Sequence, residues 1–231
     1  MSEWKLAEAT NSEQVASEWK AKLNKYWKSL KYSLYVITHP FDGFWDLTHE
    51  HKGSLPAAHT ILILFLITRV LKLLLTSFQF LSVNVQYISV PEEVGSLLLP
   101  FLILCIANWA MTTLFDGKGR FKDIYIGLCY ALVPYVLIQL PMIWISNMLT
   151  FEEASIYSVL TVVSVIWCVF LAYVALMQIH DYSPGKTLFF VFVTILGACV
   201  IIFLLLVFFS LLSDAFGFFV SFYREASYRL N

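Results

Sequence analysis

The sequence predicts an all-α polytopic membrane protein: a five-helix transmembrane bundle preceded by amphipathic and interfacial helices at the N-terminus. The first observation is composition, because hydrophobic residues make up 59% of the chain and charged residues only 13%. Ordinary globular domains have roughly half and roughly a quarter. The second is that the apolar residues form blocks of about 20 or more, the length that crosses about 30 Å of hydrocarbon. The lipid bilayer is therefore the expected solvent and the first expected partner.

Polar segments separate five apolar blocks, which together form a predicted membrane domain over residues 55–213. The blocks cover residues 55–80, 94–114, 124–146, 156–179 and 187–213. The last block is the clearest, since its 27 residues contain no charge. Helices are expected throughout, because outer-membrane β-strands need alternating apolar and polar positions. Pro134 and Pro141 predict kinks in the third block.

Residues 1–31 predict an amphipathic helix outside the membrane domain. This stretch has no glycine or proline, and Trp19 and Trp27 fall on an apolar face while most lysines lie on the other side. Aromatic side chains on one face and lysines on another suit a helix at an anionic membrane surface. A helix docked on a partner protein would show the same pattern, so this alternative stays open.

Two further segments are expected at the membrane interface. Residues 32–54 contain a proline and a glycine that interrupt any single helix. The rings of Phe41 and Trp45 in this segment suit headgroup level, and a second short helix is expected over residues 44–51. Residues 214–231 read as an aromatic interfacial tail.

The charges of the polar segments alternate, and this predicts the orientation of the chain. Residues 81–93 and 147–155 contain no Lys or Arg, whereas residues 115–123 carry three basic side chains. The stretch up to Ser54 holds seven lysines. The positive-inside rule then places the N-terminus in the cytoplasm, and five crossings place the C-terminus outside.

The polar segment between the second and third blocks is the main candidate for a cytoplasmic contact. It reads FDGKGRFKD and contains Asp116, Lys118, Arg120 and Lys122. The simplest interpretation is a tight turn whose basic side chains hold it at the anionic inner leaflet. A docking loop for a cytoplasmic or membrane partner is the alternative.

Arg69 and Lys72 are the sharpest anomaly, because both lie within the first apolar block. Spaced i, i+3 on a helix, they project from one face. Each would cost about 3 kcal/mol if it faced lipid at mid-bilayer. If the span ends near Leu75, both can reach the outer surface. Otherwise they face the bundle or a partner, with Glu92 and Glu93 as candidate counter-charges.

No recognisable motif for catalysis or for a cofactor occurs in the sequence. The triplet His49-Glu50-His51 lacks the i, i+4 spacing that puts two zinc ligands on one helical face, so no metal is expected. FDGKGR lacks the spacing of a phosphate loop. A non-enzymatic protein is therefore expected. An intramembrane hydrolase that uses the region of His49 and His51 is a less favoured alternative.

Four separate strings of the sequence carry a family resemblance. They are HPFDGFWDL at His39–Leu47, NWAMTTLFDGKGRFKDIY at Asn108–Tyr125, ALVPY at Ala131–Tyr135 and SNMLTFEE at Ser146–Glu153. In this order they resemble bacterial Yip1-domain proteins over roughly residues 31–213. The resemblance implies a five-helix membrane domain with a cytoplasmic N-terminus in the bacterial cytoplasmic membrane. The DLYGP-type motif of the eukaryotic branch, which acts in vesicle traffic with Rab GTPases, is absent, so that role is not implied.

Two classes of function follow from these features. The first hypothesis is a non-enzymatic accessory or scaffold subunit of a bacterial membrane complex, with other membrane protein subunits as partners. An ABC-type importer and its permeases are the favoured complex, because the chain has no nucleotide site of its own. The alternative is a stand-alone channel or small-solute carrier, motivated by Arg69, Lys72 and the kinked third block. No nucleic acid partner is expected.

Overall fold

The computed structural model describes residues 3–77, 80, 89–115 and 117–230, except for the side chains of residues 3–18, 151 and 226–230. This part of the chain contains helices and no β-strand. The α-helices are α1 Glu3–Thr38, α2 Pro40–His49, α3 Leu55–Leu75, α4 Val90–Leu114, α5 Phe121–Ala131, α6 Val133–Ile145, α7 Ala154–His180 and α8 Pro184–Leu230, with a short 3₁₀-helix at Phe151–Glu153.

Five helical segments of the described chain are long and apolar enough to cross a membrane. They are α3, α4, the pair α5–α6, α7 and α8. The predicted all-α fold with five spans is confirmed. Successive spans run in opposite directions, so α3, α5 and α8 begin at the end of the bundle that carries α1. We call this the near end and the opposite one the far end.

The third span is broken into two helices at Leu132. α5 ends at Ala131 and α6 begins at Val133, so that Pro134 stands in the first turn of α6, where its missing N–H costs nothing. The amide of Leu132 donates instead to the carbonyl of Cys129 at 3.1 Å. The bend predicted at Pro134 is thus present as a break, whereas α6 continues past Pro141 to Ile145.

The broken third span lies at the centre of the bundle. Within its most apolar stretch 72% of the residues are buried, against 17% to 28% in the other four spans. The core around it combines large apolar side chains with small ones that let helices approach closely. It includes Phe44, Ala57, Ala58, Cys105, Ile124, Cys129, Tyr130, Leu171, Val174 and Ala175. A Cβ atom at Gly127 of α5 would stand only 2.6 Å from Ile179 Cδ1 of α7, so this glycine sets the separation of the two helices.

Two hydrogen-bonded contacts attach α1 to the near end. The Ser29 hydroxyl lies 2.6 Å from the buried Tyr130 hydroxyl of α5, and the Tyr26 hydroxyl lies 2.9 Å from Thr60 Oγ1 of α3. α1 continues to Thr38, past the predicted boundary at residue 31, because no helix breaker occurs before Pro40. Pro40 then starts α2, which ends at His49 rather than covering residues 44–51.

Two spans differ in length from the prediction. α3 ends at Leu75 rather than near Phe80, since Thr76 adopts an extended conformation. α8 does not end at Ser213 but continues as a helix to Leu230, where a separate interfacial tail was expected. Its 47 residues extend about 70 Å at 1.5 Å per residue, more than twice the hydrocarbon thickness. Residues 81–88 of the first far-end connection lie outside the described residues.

Candidate functional site

Arg69 of α3 forms an ion pair inside the bundle. Its Nη2 atom lies 2.6 Å from Glu93 Oε1 in the first turn of α4, and its Nη1 atom donates to the Tyr135 hydroxyl of α6 at 3.2 Å. Of the two predicted counter-charges, the structure brings Glu93 to Arg69. Both partners of the pair are less than a third exposed, so the contact is largely shielded from solvent.

Lys72, one turn further along α3, enters a chain of polar side chains. Its Nζ atom donates to Gln139 Oε1 of α6 at 2.8 Å, and Gln139 Nε2 donates to Ser164 Oγ of α7 at 2.8 Å. Gln139 and Ser164 are fully buried. The ammonium also lies over the Tyr157 ring, 5.4 Å from its centroid, where the ring face attracts a cation.

These contacts decide between the two interpretations of the intramembrane cations. α3 ends at Leu75, as the outer-surface interpretation required, but Arg69 and Lys72 turn toward the bundle and find partners on three other helices. We call Arg69, Lys72, Glu93, Gln139 and Ser164 the far-end polar cluster. It joins α3, α4, α6 and α7, and the arginine charge is balanced by a carboxylate within it.

The near-end loop between α4 and α5 holds two of its basic side chains in ion pairs. Lys118 Nζ lies 3.0 Å from Asp181 Oδ2, and Arg120 Nε lies 2.9 Å from Asp123 Oδ2. Lys122 is exposed, and Asp116 lies outside the described residues. The pairs connect the loop to α5 and to the end of α7, but both basic side chains are largely exposed, so each pair contributes little to stability.

A buried histidine lies directly behind this loop. The Gly119 amide donates to His180 Nδ1 at 3.2 Å, which places the ring proton on Nε2, facing Asn108 Oδ1 at 3.1 Å. Asn108 Nδ2 donates in turn to Thr194 Oγ1 of α8 at 3.0 Å. A Cβ atom at Gly119 would stand 2.6 Å from His180 Cε1, so only glycine allows this approach.

The sequence did not single out this network. Its members are isolated polar residues near the ends of apolar spans, and that position was the one signal that could have indicated them. The network ties the α4–α5 loop to α4, α7 and α8, and every side-chain nitrogen and the amide oxygen in it has a partner. The network therefore has a structural role, in which it holds the loop against these helices.

The aromatic residues predicted to contact lipid or a partner are all on the surface. Trp19, Trp27, Phe41 and Trp45 are between 45% and 62% exposed. Trp45 additionally stacks on His49 with ring centroids 4.6 Å apart. Their exposure leaves these rings free to contact a membrane surface or another protein.

A second polar cluster holds the corner between α1, α2 and the start of α3. Asp46 Oδ2 accepts hydrogen bonds from Lys52 at 2.6 Å and from the Tyr32 hydroxyl at 3.1 Å. The bond from Lys52 lowers the pKa of the Asp46 carboxyl, and burial raises the pKa of the Tyr32 hydroxyl. A cavity of about 660 Å³ opens beside this corner, with Lys25 and Lys28 of α1 on its wall.

The histidines of the near end have separate partners. His49 Nδ1 lies 3.1 Å from the Trp45 carbonyl and its Nε2 atom lies 3.6 Å from Asp181, while His59 Nδ1 lies 2.7 Å from the Tyr125 hydroxyl. His39 stacks on Tyr35. Within the described ranges no three His, Cys, Asp or Glu side chains are grouped closely enough to hold a metal ion.

Fold and polar contacts together define a polytopic membrane protein whose described residues form five spans, of which the broken third span is the central one. The family model of the Yip1 domain matches residues 34–218. The chain therefore belongs to the Yip1 domain family, as the sequence resemblance indicated. No curated protein and no solved structure gives a significant match to the chain.

Proposed function

We propose that the chain is a non-enzymatic accessory or scaffold subunit of a membrane complex. In this proposal it resides in the bacterial cytoplasmic membrane with its N-terminus in the cytoplasm and its C-terminus outside. The observation that carries the proposal is the second half of α8. Every side chain from residue 202 to residue 225 is exposed, although most of them are aliphatic or aromatic. A long apolar helix that leaves its own bundle and extends past the bilayer presents a surface on which a partner subunit of the membrane complex can pack.

Partners of this proposed kind are membrane subunits of a transport complex, such as the permeases of an ABC-type importer. The chain brings no nucleotide-binding motif of its own, so energy conversion would fall to other subunits. Its intramembrane arginine is neutralised internally by Glu93, which fits a structural role better than a role in moving ions. Lys118 and Arg120 of the α4–α5 loop would contact the same complex at the cytoplasmic side.

The test is purification of the tagged chain from its native membrane in mild detergent, followed by mass spectrometry. We expect a membrane transport subunit in fixed stoichiometry. A triple variant of α8, Leu204→Ala, Phe208→Ala and Leu211→Ala, should lose it. The matched control on α7, Val162→Ala, Ile166→Ala and Val169→Ala, changes equally exposed positions with the same spacing and should retain it. A wild-type chain that is isolated alone contradicts the proposal.

A stand-alone channel or small-solute carrier is the second candidate. The observation in its favour is the polar chain from Lys72 through Gln139 to Ser164 in the bundle interior, because polar side chains at membrane depth often mark solute pathways. Purified protein in proteoliposomes would then conduct a solute. Flux that persists unchanged in Arg69→Leu and Gln139→Leu variants would exclude the far-end polar cluster as its path.

A further inference from the structure

One flank of α1 forms a groove with two membrane-spanning helices. The bonds from Tyr26 to Thr60 and from Ser29 to Tyr130 fix the rotation of α1 about its axis. Trp27, Lys31 and Leu34, spaced i, i+4 and i+7, therefore project to one side. Beneath them a cavity of about 250 Å³ opens against the first half of α3 and the first half of α6.

The walls of this groove are apolar apart from one charged side chain. Its lining consists of Trp27, Leu30, Lys31, Ser33 and Leu34 of α1, Ile61 and Leu64 of α3, and Val133, Val136 and Leu137 of α6. The Ser33 hydroxyl donates to the Leu30 carbonyl at 2.7 Å, so its polarity is already satisfied. Lys31 is exposed and forms no ion pair with a side chain of the described residues.

The position of the groove selects its occupant. Ile61, Leu64 and Val136 belong to helices that are long and apolar enough to cross a membrane, so the groove lies between α1 and the membrane-spanning part of the bundle. Apart from Lys31, the walls offer water no free hydrogen-bond partner, so the space favours an apolar occupant. The molecule available there is a lipid, whose acyl chain matches the apolar walls and whose headgroup would lie beside α1.

We propose that this groove binds one anionic phospholipid, with an acyl chain between α1, α3 and α6 and its phosphate on Lys31. A lysine ammonium is a compact cation that pairs with phosphate oxygens. Exposed Trp27 at the rim suits the interface between headgroups and hydrocarbon. The site is distinct from the far-end polar cluster and from the α8 surface, so it stands independently of the proposed partner.

Native mass spectrometry of the full-length chain in mild detergent tests the site. The protein is titrated with phosphatidylglycerol or with phosphatidylcholine that carries the same acyl chains. We expect the first lipid to bind about fivefold more tightly as phosphatidylglycerol, the factor that one lysine near an anionic surface supplies. Lys31→Gln should abolish this preference. Lys25→Gln, which removes the same charge from an exposed position six residues earlier, on the wall of the other cavity, should keep it.

A second pair of variants tests the groove itself. Leu137→Trp and Leu64→Trp place a bulky ring in the groove at exposed positions, so the fold is retained and a thermal unfolding curve verifies this. Both should weaken binding of the two lipids alike. Three results would overturn the proposal: a preference that survives Lys31→Gln, an equal loss in Lys25→Gln, or lipid binding that neither tryptophan variant changes.

Discussion

The third span and α8 are both long apolar helices, yet their surroundings are opposite. α5 and α6 lie in the centre of the bundle with 72% of their most apolar stretch buried, whereas the corresponding value for α8 is 17%. α8 is nevertheless the more apolar of the two. The central span contains tyrosine, glutamine and glycine at buried positions, including Gly127, Tyr130, Tyr135 and Gln139.

This contrast shows what sorts helices in a membrane. Lipid tails are as apolar as leucine, so burial of an apolar side chain between helices gains little from the hydrophobic effect. Close packing and interhelical hydrogen bonds decide instead which helix lies inside. The bond of Gln139 to Ser164 and the close approach at Gly127 are contacts of this kind, and α8 offers few of them beyond residue 200.

The largest effect on stability is expected from removing the ring of Tyr130 in the central third span. Tyr130 is fully buried, and its hydroxyl donates to the Ser29 carbonyl at 3.1 Å. Tyr130→Ala should lower the free energy of unfolding by about 3 kcal/mol, since it leaves a cavity and releases α1. Phe208→Ala on exposed α8 should change it by less than about 0.5 kcal/mol. The measurement is unfolding in detergent. Equal changes in the free energy of unfolding for the two variants would contradict the contrast between the buried third span and exposed α8.

The ion pair of the far-end polar cluster should have the next largest effect. Arg69→Gln leaves Glu93 without its cation and should cost about 2 kcal/mol. Glu93→Gln should cost a similar amount, and the double variant should cost less than the sum of the two single variants. The measurement is a double-mutant cycle of unfolding free energies in detergent. Strict additivity would show that the pair contributes nothing to stability.

A pair of glycines sharpens the comparison at a smaller scale. An added Cβ atom at Gly127 of α5 meets Ile179 Cδ1 at 2.6 Å, while at Gly217 of α8 it meets nothing within 4 Å. Gly127→Ala should therefore destabilise the bundle by about 1 kcal/mol through overpacking. Gly217→Ala should stabilise α8 by up to about 1 kcal/mol through helix propensity. Melting temperatures that shift in the same direction would contradict the assignment of inner and outer helices.

The smallest effect concerns the polar corner between α1, α2 and the start of α3, where Asp46 bonds to Lys52 and Tyr32. The pKa of Asp46 is lowered below its ordinary value of 3.8, so the charged form is the one that the fold stabilises. This contribution is present above about pH 4 and is lost as the pH falls through the lowered pKa. The rate of amide hydrogen exchange in α2 should rise only in that acid range. In the Asp46→Asn variant this rate should be raised already at neutral pH and should change little on acidification.

The five spans were predictable from sequence, because block length and the absence of charge suffice to identify a helix that crosses a bilayer. The limits of the helices were less predictable. Hydropathy could not distinguish a helix end at Ser213 from continuation to Leu230, since a single charge at Asp214 does not end a helix. Similarly, α1 continues to Thr38 because no helix breaker occurs before Pro40, and the burial of Val36 beside Gly43 of α2 is a tertiary contact that residue spacing does not reveal.

The charged members of the far-end polar cluster were predictable from the sequence, whereas its neutral members were not. The sequence indicated Arg69 and Lys72 as anomalies and Glu93 as a counter-charge, because charges inside an apolar block require partners. It did not indicate Gln139 or Ser164, since one neutral polar residue among apolar ones is unremarkable in a span. Which helix faces which is set by packing in three dimensions, and the positions of Asn108 and His180 at the near end were hidden for the same reason.

Photo-crosslinking in native membranes tests the central claim most directly. A benzophenone side chain is placed at Phe208 or Leu211 of α8, and at Ile166 or Val169 of α7 as equally exposed controls. The account predicts that both α8 positions capture one membrane transport subunit in fixed stoichiometry, while both α7 positions capture only lipid. Lipid adducts alone at Phe208 and Leu211, in the pattern of the α7 controls, would contradict the assignment of α8 as the partner-binding surface.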